Sequence, residues 1–186
     1  MTKPAFSDEI ANLLHAAHGN PLNICVQCGT CSGTCPVADF MDHTPRELIG
    51  MIRSDLKDEV LASNTFWYCA SCYHCTVRCP AQIDIAGLMY ALKRYSIWKH
   101  VHKEGLVGPV FSEAFVKTII RSGRSYEPVL ATTVLFSTGL KDVLQEAVTA
   151  TNLMLKGRMP VIPKRIKRLA NFKRMIERVV PLGEAS

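Results

Sequence analysis

Apolar residues recur at helical spacing along much of the chain, and the alternation typical of strands is close to absent around its cysteines. The clearest helical pattern begins at Thr44, a favourable N-cap residue followed by Pro45 and, three positions on, by Glu47. This T-x-x-E sequence is a capping box, and proline suits the first position of a helix. The apolar stripe that follows consists of Leu48, Met51, Ile52 and Leu56. The pattern predicts a helix that starts at Pro45.

Further helices are predicted on both sides of this one. The segment FSDEIANLLHAAHG, residues 6–19, is typical of a capped helix that ends at Gly19, and a short helical turn is expected at 56–63. Asp84 is a favourable N-cap for a helix that continues toward Gly105. The apolar positions of that helix are Ile85, Leu88, Met89, Leu92, Tyr95 and Ile97.

From residue 108 onward, glycine and proline separate four more helical patterns, at 109–123, 127–139, 140–157 and 163–180. In the last pattern the apolar residues lie mostly on one side; they are Ile166, Leu169, Ala170, Phe172, Ile176 and Val179. The remainder of that helix is basic, with Lys164, Arg165, Lys167, Arg168, Lys173, Arg174 and Arg178. The sequence therefore predicts an all-α protein with a domain at 1–107 and a helical C-terminal extension at 108–186.

Composition narrows the class of protein. A hydrophobic content of 48% over 186 residues argues against disorder. The longest apolar stretch, roughly 128–140, is interrupted by polar residues and is shorter than the ~20 residues that span a bilayer. The N-terminus carries acidic residues where a signal peptide has its apolar core. We expect a soluble cytoplasmic protein without a transmembrane segment.

The charge is divided unevenly between the two parts. Residues 1–110 hold 9 Lys and Arg against 10 Asp and Glu, whereas residues 111–186 hold 13 against 6. The basic character therefore belongs to the C-terminal part. Three interpretations of its last helix remain open: a solvated basic face, a helix that docks on an acidic partner subunit, and a membrane-surface helix. The first two are favoured over membrane contact, and the charge comes without the aromatic pattern or motif of a nucleic-acid-binding protein.

All eight cysteines lie between residues 25 and 79, in two blocks of the same form, C-x-x-C-x-x-C-x-x-x-C-P. This is the spacing of bacterial ferredoxins, in which the fourth cysteine ligates the other cluster of a two-cluster protein. The spacing predicts two [4Fe–4S] clusters. The first is assigned to Cys25, Cys28, Cys31 and Cys79, and the second to Cys69, Cys72, Cys75 and Cys35.

Two other interpretations of the cysteines, disulfide bonds and structural zinc, have less support from the sequence. Disulfides suit exported chains with bridges spread along them. Structural zinc uses two C-x-x-C pairs from separate segments, and a third and fourth cysteine followed by proline have no purpose there. A zinc-stabilised interaction module therefore stays a remote alternative. Eight thiolates for eight irons leave no open iron site, so electron transfer rather than catalysis is expected at the clusters, with no catalytic residue on this chain.

The motifs resemble those of the α-helical ferredoxin group, which includes the iron–sulfur subunits of succinate and glycerol-3-phosphate dehydrogenases. The motif CVQCGTCSGTCP, the helical insert of 33 residues between Cys35 and Cys69, and FWYCASCYHCTVRCP are similar to the C subunit of heterodisulfide reductase. Trp67, Tyr73 and Arg78 fit that family's second block. The resemblance covers roughly residues 20–105.

The resemblance implies an electron relay between a flavin- and cluster-bearing A-type subunit and a cysteine-rich B-type subunit that acts on a disulfide or thiol. It further suggests the bacterial branch linked to cytoplasmic sulfur oxidation, with the extension as a subunit-docking region. The alternative is a free-standing two-cluster carrier or the iron–sulfur subunit of another dehydrogenase.

Three finer expectations concern residues near the cysteines. Gly29 and Gly33 are expected to have positive φ, because a loop that wraps a cluster directs its N–H groups inward. Trp67 and Tyr68 are expected to shield a cluster from water. Arg78 is expected beside one cluster, and Thr34, its counterpart in the first block, beside the other. This difference in charge predicts the higher reduction potential for the cluster of Cys69, Cys72, Cys75 and Cys35.

Overall fold

The computed structural model describes residues 5–14, 20–102, 105–138, 149, 151–158 and 164–184, with only the backbone described at 137, 138 and 179–184. Every regular element within these ranges is helical, as predicted. The chain divides into two compact units, Met1–Glu104 and Gly105–Ser186.

The first unit contains, among its described residues, seven α-helices. In chain order they are α1 (Phe6–Leu13), α2 (Thr30–Gly33), α3 (Pro45–Arg53), α4 (Lys57–Ala62), α5 (Thr65–Tyr68), α6 (His74–Val77) and α7 (Ile85–Trp98). Two 3-10 turns, Pro21–Ile24 and Ala38–Phe40, accompany them. The four-residue helices α2 and α6 each contain the third cysteine of a block, whereas the longer α1, α3 and α7 form the frame around them.

The predicted caps of the frame helices are formed. The Glu47 carboxylate accepts a hydrogen bond from the Thr44 N–H at 2.8 Å, and this bond lowers the pKa of Glu47. Asp84 Oδ1 accepts from the Gly87 N–H at 2.9 Å at the start of α7. Each cap satisfies an N–H group that helix geometry leaves without a partner. The expected extension of α1 to Gly19 is not observed, because the helix ends at Leu13; residues 15–19 lie outside the described residues.

The core of the first unit lies where α3 and α7 each pack against α1. Its fully buried side chains are Phe6, Ile10, Leu22, Leu48, Ile49, Ile52, Phe66, Ile83, Ile85, Leu88, Met89 and Leu92. A polar contact joins the helices at the edge of this core: Glu9 Oε2 accepts from Lys57 Nζ at 2.7 Å and from the Tyr95 hydroxyl at 2.6 Å. The two cysteine blocks are therefore attached to a frame with its own apolar interior.

The second unit contains α8 (Val107–Ser122), α9 (Glu127–Thr138) and α10 (Leu169–Glu184). Helix α8 packs against both α9 and α10. Of the predicted helix at 140–157, residues 151–155 are helical, and 140–148 and 150 lie outside the described residues.

The last helix begins later than the prediction of residue 163. The Ile166 N–H donates to the Ser122 carbonyl at 3.1 Å, and the Ile166 side chain lies against Gly123, which has φ of 78°. This tertiary contact holds the chain at Ile166 out of a helix, and tertiary context commonly overrides helix propensity. Four of the basic residues, Lys164, Arg165, Lys167 and Arg168, consequently precede α10.

No described helix has the length and apolar character that crossing a bilayer requires.

Candidate iron–sulfur sites

The two cysteine blocks follow the same backbone course. The residue before the second cysteine has a left-handed conformation in both, with φ of 55° at Gln27 and 55° at Ser71. The residue before the short helix is left-handed again, with φ of 83° at Gly29 and 62° at Tyr73. Since non-glycine residues adopt positive φ uncommonly, their repetition at matched positions indicates one loop conformation built twice.

The loops line two cavities. The first cavity is lined by Cys25, Cys28, Cys31 and Cys79. The second is lined by Cys35, Cys69, Cys72 and Cys75. Each cavity therefore combines three cysteines from one block with the fourth cysteine of the other block. Helices α2 and α6 lie next to each other, so the two loops are neighbours.

The remaining walls of both cavities are largely apolar. Ile49, Ile83 and Ile85 contribute to the first cavity, and Val37, Met41 and Met89 contribute to the second. Among the described side chains, no group of three His, Cys, Asp or Glu is placed to hold a single metal ion. Four soft thiol donors around an open, mostly apolar cavity fit a cluster of irons, whose surroundings are commonly of this kind.

Burial and mutual repulsion act on the thiols. Burial raises the pKa of Cys31, Cys35 and Cys75, and neighbouring cysteine charges raise it further. For Cys35 those neighbours are Cys69 and Cys72 of the other block. Gathering thiolates without a positive core is therefore unfavourable, and a cationic iron core offsets the repulsion.

Side chains of the first loop reach two of its sulfurs. Gln27 Nε2 donates to Cys25 Sγ at 3.5 Å, and the Thr30 hydroxyl lies 3.4 Å from Cys28 Sγ. The hydrogen bond with Thr30 lowers the pKa of Cys28. These contacts place polar hydrogens beside two of the four thiols of the first cavity.

A cation holds the first residue of each loop. Arg53 Nη1 donates to the Cys25 carbonyl at 2.9 Å, and Lys93 Nζ donates to the Cys69 carbonyl at 3.3 Å. Arg53 belongs to α3 and Lys93 to α7, so the first cysteine of each block is held by one of these two frame helices. Sequence reasoning missed both contacts, because residues 28 and 24 positions apart carry no local signal of their proximity.

A hydroxyl after the third cysteine ties each loop to a frame helix. Ser32 Oγ accepts from the Arg46 N–H at 3.0 Å, and Thr76 Oγ1 accepts from the Ala86 N–H at 2.9 Å. Both donors are the second residue of their helix, α3 or α7, where helical N–H groups have no internal partner. The sequence signals this contact by a hydroxyl residue directly after the third cysteine of each block, Ser32 after Cys31 and Thr76 after Cys75.

Two of the finer expectations are wrong, at Gly33 and at Trp67 and Tyr68. Gly33 lies inside α2 and is absent from the positive-φ glycines of the described chain, so only Gly29 has the expected conformation. Neither Trp67 nor Tyr68 lines a cavity; Trp67 packs against the core beside Phe66, with ring centroids 5.6 Å apart. The exposed Arg78 lines neither cavity, and the higher potential expected from it stays a prediction.

Comparison with known proteins agrees with this geometry. Residues 21–83 match the family described as 4Fe-4S dicluster domain. This segment is a 4Fe–4S dicluster domain. The match spans both cysteine blocks, and the dicluster domain therefore binds two [4Fe–4S] clusters, as predicted.

Curated relatives of the dicluster domain are C subunits of heterodisulfide reductases. One, from Methanothermobacter marburgensis, is the C subunit of H(2):CoB-CoM heterodisulfide,ferredoxin reductase, and it is 37% identical over 81 residues, 44% of this chain and 44% of the relative. The iron–sulfur C subunit of CoB--CoM heterodisulfide reductase from Methanopyrus kandleri is 30% identical over 100 residues, 52% of each chain.

A third relative matches this chain over a slightly longer segment. It is the C subunit of the Ferredoxin/F(420)H(2)-dependent CoB-CoM heterodisulfide reductase from Methanosarcina acetivorans, 34% identical over 103 residues, 55% of this chain and 60% of the relative. The chain thus spans about half the length of the curated relatives that it matches. The similarity to these oxidoreductase subunits therefore covers about half of this chain.

Proposed function

We propose that the chain is an electron-transfer subunit whose two clusters are held by crossed sets of cysteines. Cys25, Cys28, Cys31 and Cys79 hold the first cluster, and Cys69, Cys72, Cys75 and Cys35 hold the second. The observation that carries the proposal is the lining of the two cavities, each of which takes one cysteine from the opposite block.

The clusters supply reversible one-electron transfer. The chain's own residues keep each cluster fully ligated, because eight thiolates serve eight irons and leave no thiolate-free iron for a substrate. The apolar walls around Ile49 and Met89 shield one side of each cavity from water. The role of the chain is accordingly to hold and insulate the clusters rather than to bind a substrate.

The relatives are subunits of heterodisulfide reductases, which supports protein partners in a complex of that kind. In a heterodisulfide-reductase-like complex, the chain would pass electrons between a flavin-bearing A-type subunit and a cysteine-rich B-type subunit. Reduction of a disulfide to two thiols consumes two electrons and two protons, so two single-electron passages through this chain serve one disulfide. Oxidation of thiols in a sulfur-oxidising complex reverses the balance, with the flavin as electron acceptor.

The second unit is the proposed docking region for a partner subunit with an acidic surface. Many of its large apolar side chains are exposed, among them Phe111, Phe115, Val116, Ile120 and Phe136. Residues 111–186 also hold 13 Lys and Arg against 6 Asp and Glu. Exposed apolar groups bordered by one sign of charge are typical of protein interfaces, where the charge steers association.

Anaerobic purification tests the cluster assignment. The full chain should be brown, contain about eight irons with matching sulfide, and give two paramagnetic signals on reduction. Colourless protein loaded with zinc would refute the proposal and support a structural metal module.

Affinity capture from the native host tests the partners. A tagged chain should co-purify with a flavoprotein and a cysteine-rich subunit, and co-purification should weaken at high salt because screening reduces charge steering. A lipoate-binding protein in the captured set would support the sulfur-oxidising role. Recovery of the iron-loaded chain alone would instead indicate a free-standing carrier.

A further inference from the structure

The two loops share a backbone but surround their sulfurs differently. Gln27 and Thr30 contact the sulfurs of Cys25 and Cys28 in the first loop. The matched positions in the second loop are Ser71 and His74, and the described structure gives neither of them a hydrogen bond to a cysteine sulfur. The first loop therefore offers two additional polar contacts to thiolate.

Other polar neighbours are matched and do not distinguish the loops. Ser32 and Thr76 stand in the same relation to the adjacent sulfurs of Cys31 and Cys75. The cations on the first carbonyls, Arg53 and Lys93, are likewise a pair.

The charged residues near the two cavities also differ. The Arg46 side chain lines the first cavity and passes beside Gly29, where an added Cβ would lie 3.6 Å from Arg46 Cδ. Among the residues lining the second cavity, the phenol of Tyr73 is the sole side-chain donor apart from the cysteines. Near the second loop, the carboxylate oxygen Asp84 Oδ1 is 3.3 Å from the hydroxyl of Thr76, the residue after Cys75.

We propose that the cluster of Cys25, Cys28, Cys31 and Cys79 has the higher reduction potential of the two, with Arg46 and Gln27 as the positioning residues that raise it. Adding an electron makes a cluster more negative, so hydrogen-bond donors to sulfur and a nearby guanidinium stabilise the reduced form more than the oxidised form. A nearby carboxylate has the opposite effect. The inference rests on the proposed crossed assignment of cysteines.

This order is the reverse of the one expected from Arg78. An electron that enters the chain resides at equilibrium mainly on the first cluster, and the second cluster is the stronger reductant. The order follows from Arg46, which the fold brings to the first cavity, and from Gln27, which contacts a sulfur of the first loop, and not from Arg78.

A redox titration of the anaerobically purified full chain, followed by electron paramagnetic resonance, tests the order. The wild type should show two midpoints. Arg46→Gln should lower the higher midpoint by about tenfold in the redox equilibrium, which is about 59 mV for one electron, and leave the lower midpoint unchanged. Gln27→Ser should lower the same midpoint by a smaller amount.

The reciprocal variant installs the donor in the second loop. Ser71→Gln places a glutamine at the backbone position that matches Gln27, with the same φ of 55°, and should raise the lower midpoint. Arg78→Gln is the control, because this exposed residue lines neither cavity, and both midpoints should stay in place.

Several results would overturn the order. They are a shift of the lower midpoint in Arg46→Gln, no shift in that variant, one midpoint common to both clusters, or a shift in Arg78→Gln as large as that in Arg46→Gln. Failure of the underlying assignment gives a different result: wild-type protein with far fewer than about eight irons, or without two signals on reduction. Iron content measured on every variant separates a changed potential from a lost cluster.

Discussion

The two cysteine loops are alike in backbone and unlike in what surrounds them. Both have left-handed residues at matched positions, a short helix at the third cysteine and a hydroxyl bonded to the second residue of a frame helix. Their neighbours differ, with Arg46 beside the first cavity and Asp84 near the second loop. Cysteine spacing thus predicts which cofactor is held, whereas the difference that we propose between the two clusters depends partly on Arg46, which comes from elsewhere in the fold.

The two loops also differ in the residue type that adopts the left-handed conformation before the short helix. Gly29 reaches φ of 83° without steric cost, whereas Tyr73 has φ of 62° at the matched position and carries a side chain. A left-handed residue other than glycine costs roughly 1–2 kcal/mol. The second loop therefore contains local strain that the first loop avoids, and its surroundings hold it in place.

The largest expected effect comes from removing the exchanged cysteines. Cys79→Ala should deplete the first cluster although the residue belongs to the second block, and Cys35→Ala should deplete the second. Iron content should fall toward about four per chain in each variant. Electron paramagnetic resonance should show the higher-potential signal lost in Cys79→Ala and the lower-potential signal lost in Cys35→Ala.

The two variants serve as controls for each other. If Cys79→Ala and Cys35→Ala each lost the cluster of their own block, the crossed assignment would be wrong. The double variant should lose both signals, because neither cavity then has four thiolates.

The next effect concerns the left-handed positions. Gly29→Ala should cost about 1–2 kcal/mol, because alanine pays the left-handed penalty there, while its Cβ meets only the flexible Arg46 side chain at 3.6 Å. Tyr73→Ala adds no such penalty, because the residue already has a Cβ. The rate at which visible absorption bleaches in guanidinium should rise about tenfold in Gly29→Ala.

Tyr73→Gly provides the reverse test. Removing the Cβ should relieve the strain in the second loop and slow bleaching relative to Tyr73→Ala. Equal bleaching rates in Tyr73→Gly and Tyr73→Ala would show that the left-handed position carries no strain.

A smaller effect is expected from the cations that hold the first carbonyls. Charged hydrogen bonds contribute about 1.5–3 kcal/mol where they are buried, but the exposed Arg53 is screened by solvent, so about 1 kcal/mol is expected. Arg53→Met should accelerate iron removal by a chelator from the first cluster and Lys93→Met from the second. The two effects should be similar in size, since the Arg53 bond of 2.9 Å is shorter than the 3.3 Å bond of Lys93 but is more exposed to solvent.

Arg53→Lys separates the charge from the geometry. Partial recovery of chelator resistance is expected, because lysine retains the charge but presents it differently. Loss of the second cluster in Arg53→Met would contradict the pairing of each cation with one loop.

Sequence patterns predicted the frame and the cofactor well. The capping sequence from Thr44 to Glu47 and the cap at Asp84 are local signals, and both helices begin where these signals place them. The crossed lining of the cavities also follows from spacing, because the fourth cysteine lies beyond the reach of its own loop.

The properties that distinguish the loops were not predictable in this way. Arg46 is 15 positions beyond Cys31, and only the packing of α3 beside α2 brings its side chain to the first cavity. The left-handed conformation of Tyr73 is imposed by the loop against the preference of the residue. The start of α10 depends on the contact of Ile166 with Gly123, which lies 43 positions earlier.

The smallest expected effect tests the feature that the two loops share most closely. Ser32→Ala and Thr76→Val each remove a hydroxyl that accepts the second N–H of a frame helix, at 3.0 and 2.9 Å. Loss of a helix-terminal partner typically costs about 1 kcal/mol, and solvent can replace part of it at these positions. Both variants should therefore bleach about two- to fivefold faster in guanidinium, by similar amounts, with Ser32→Thr close to wild type because it keeps the hydroxyl. A large effect in one loop and none in the other would mean that the repeated hydrogen bond has different roles, and that the likeness of the two loops ends at the cysteines.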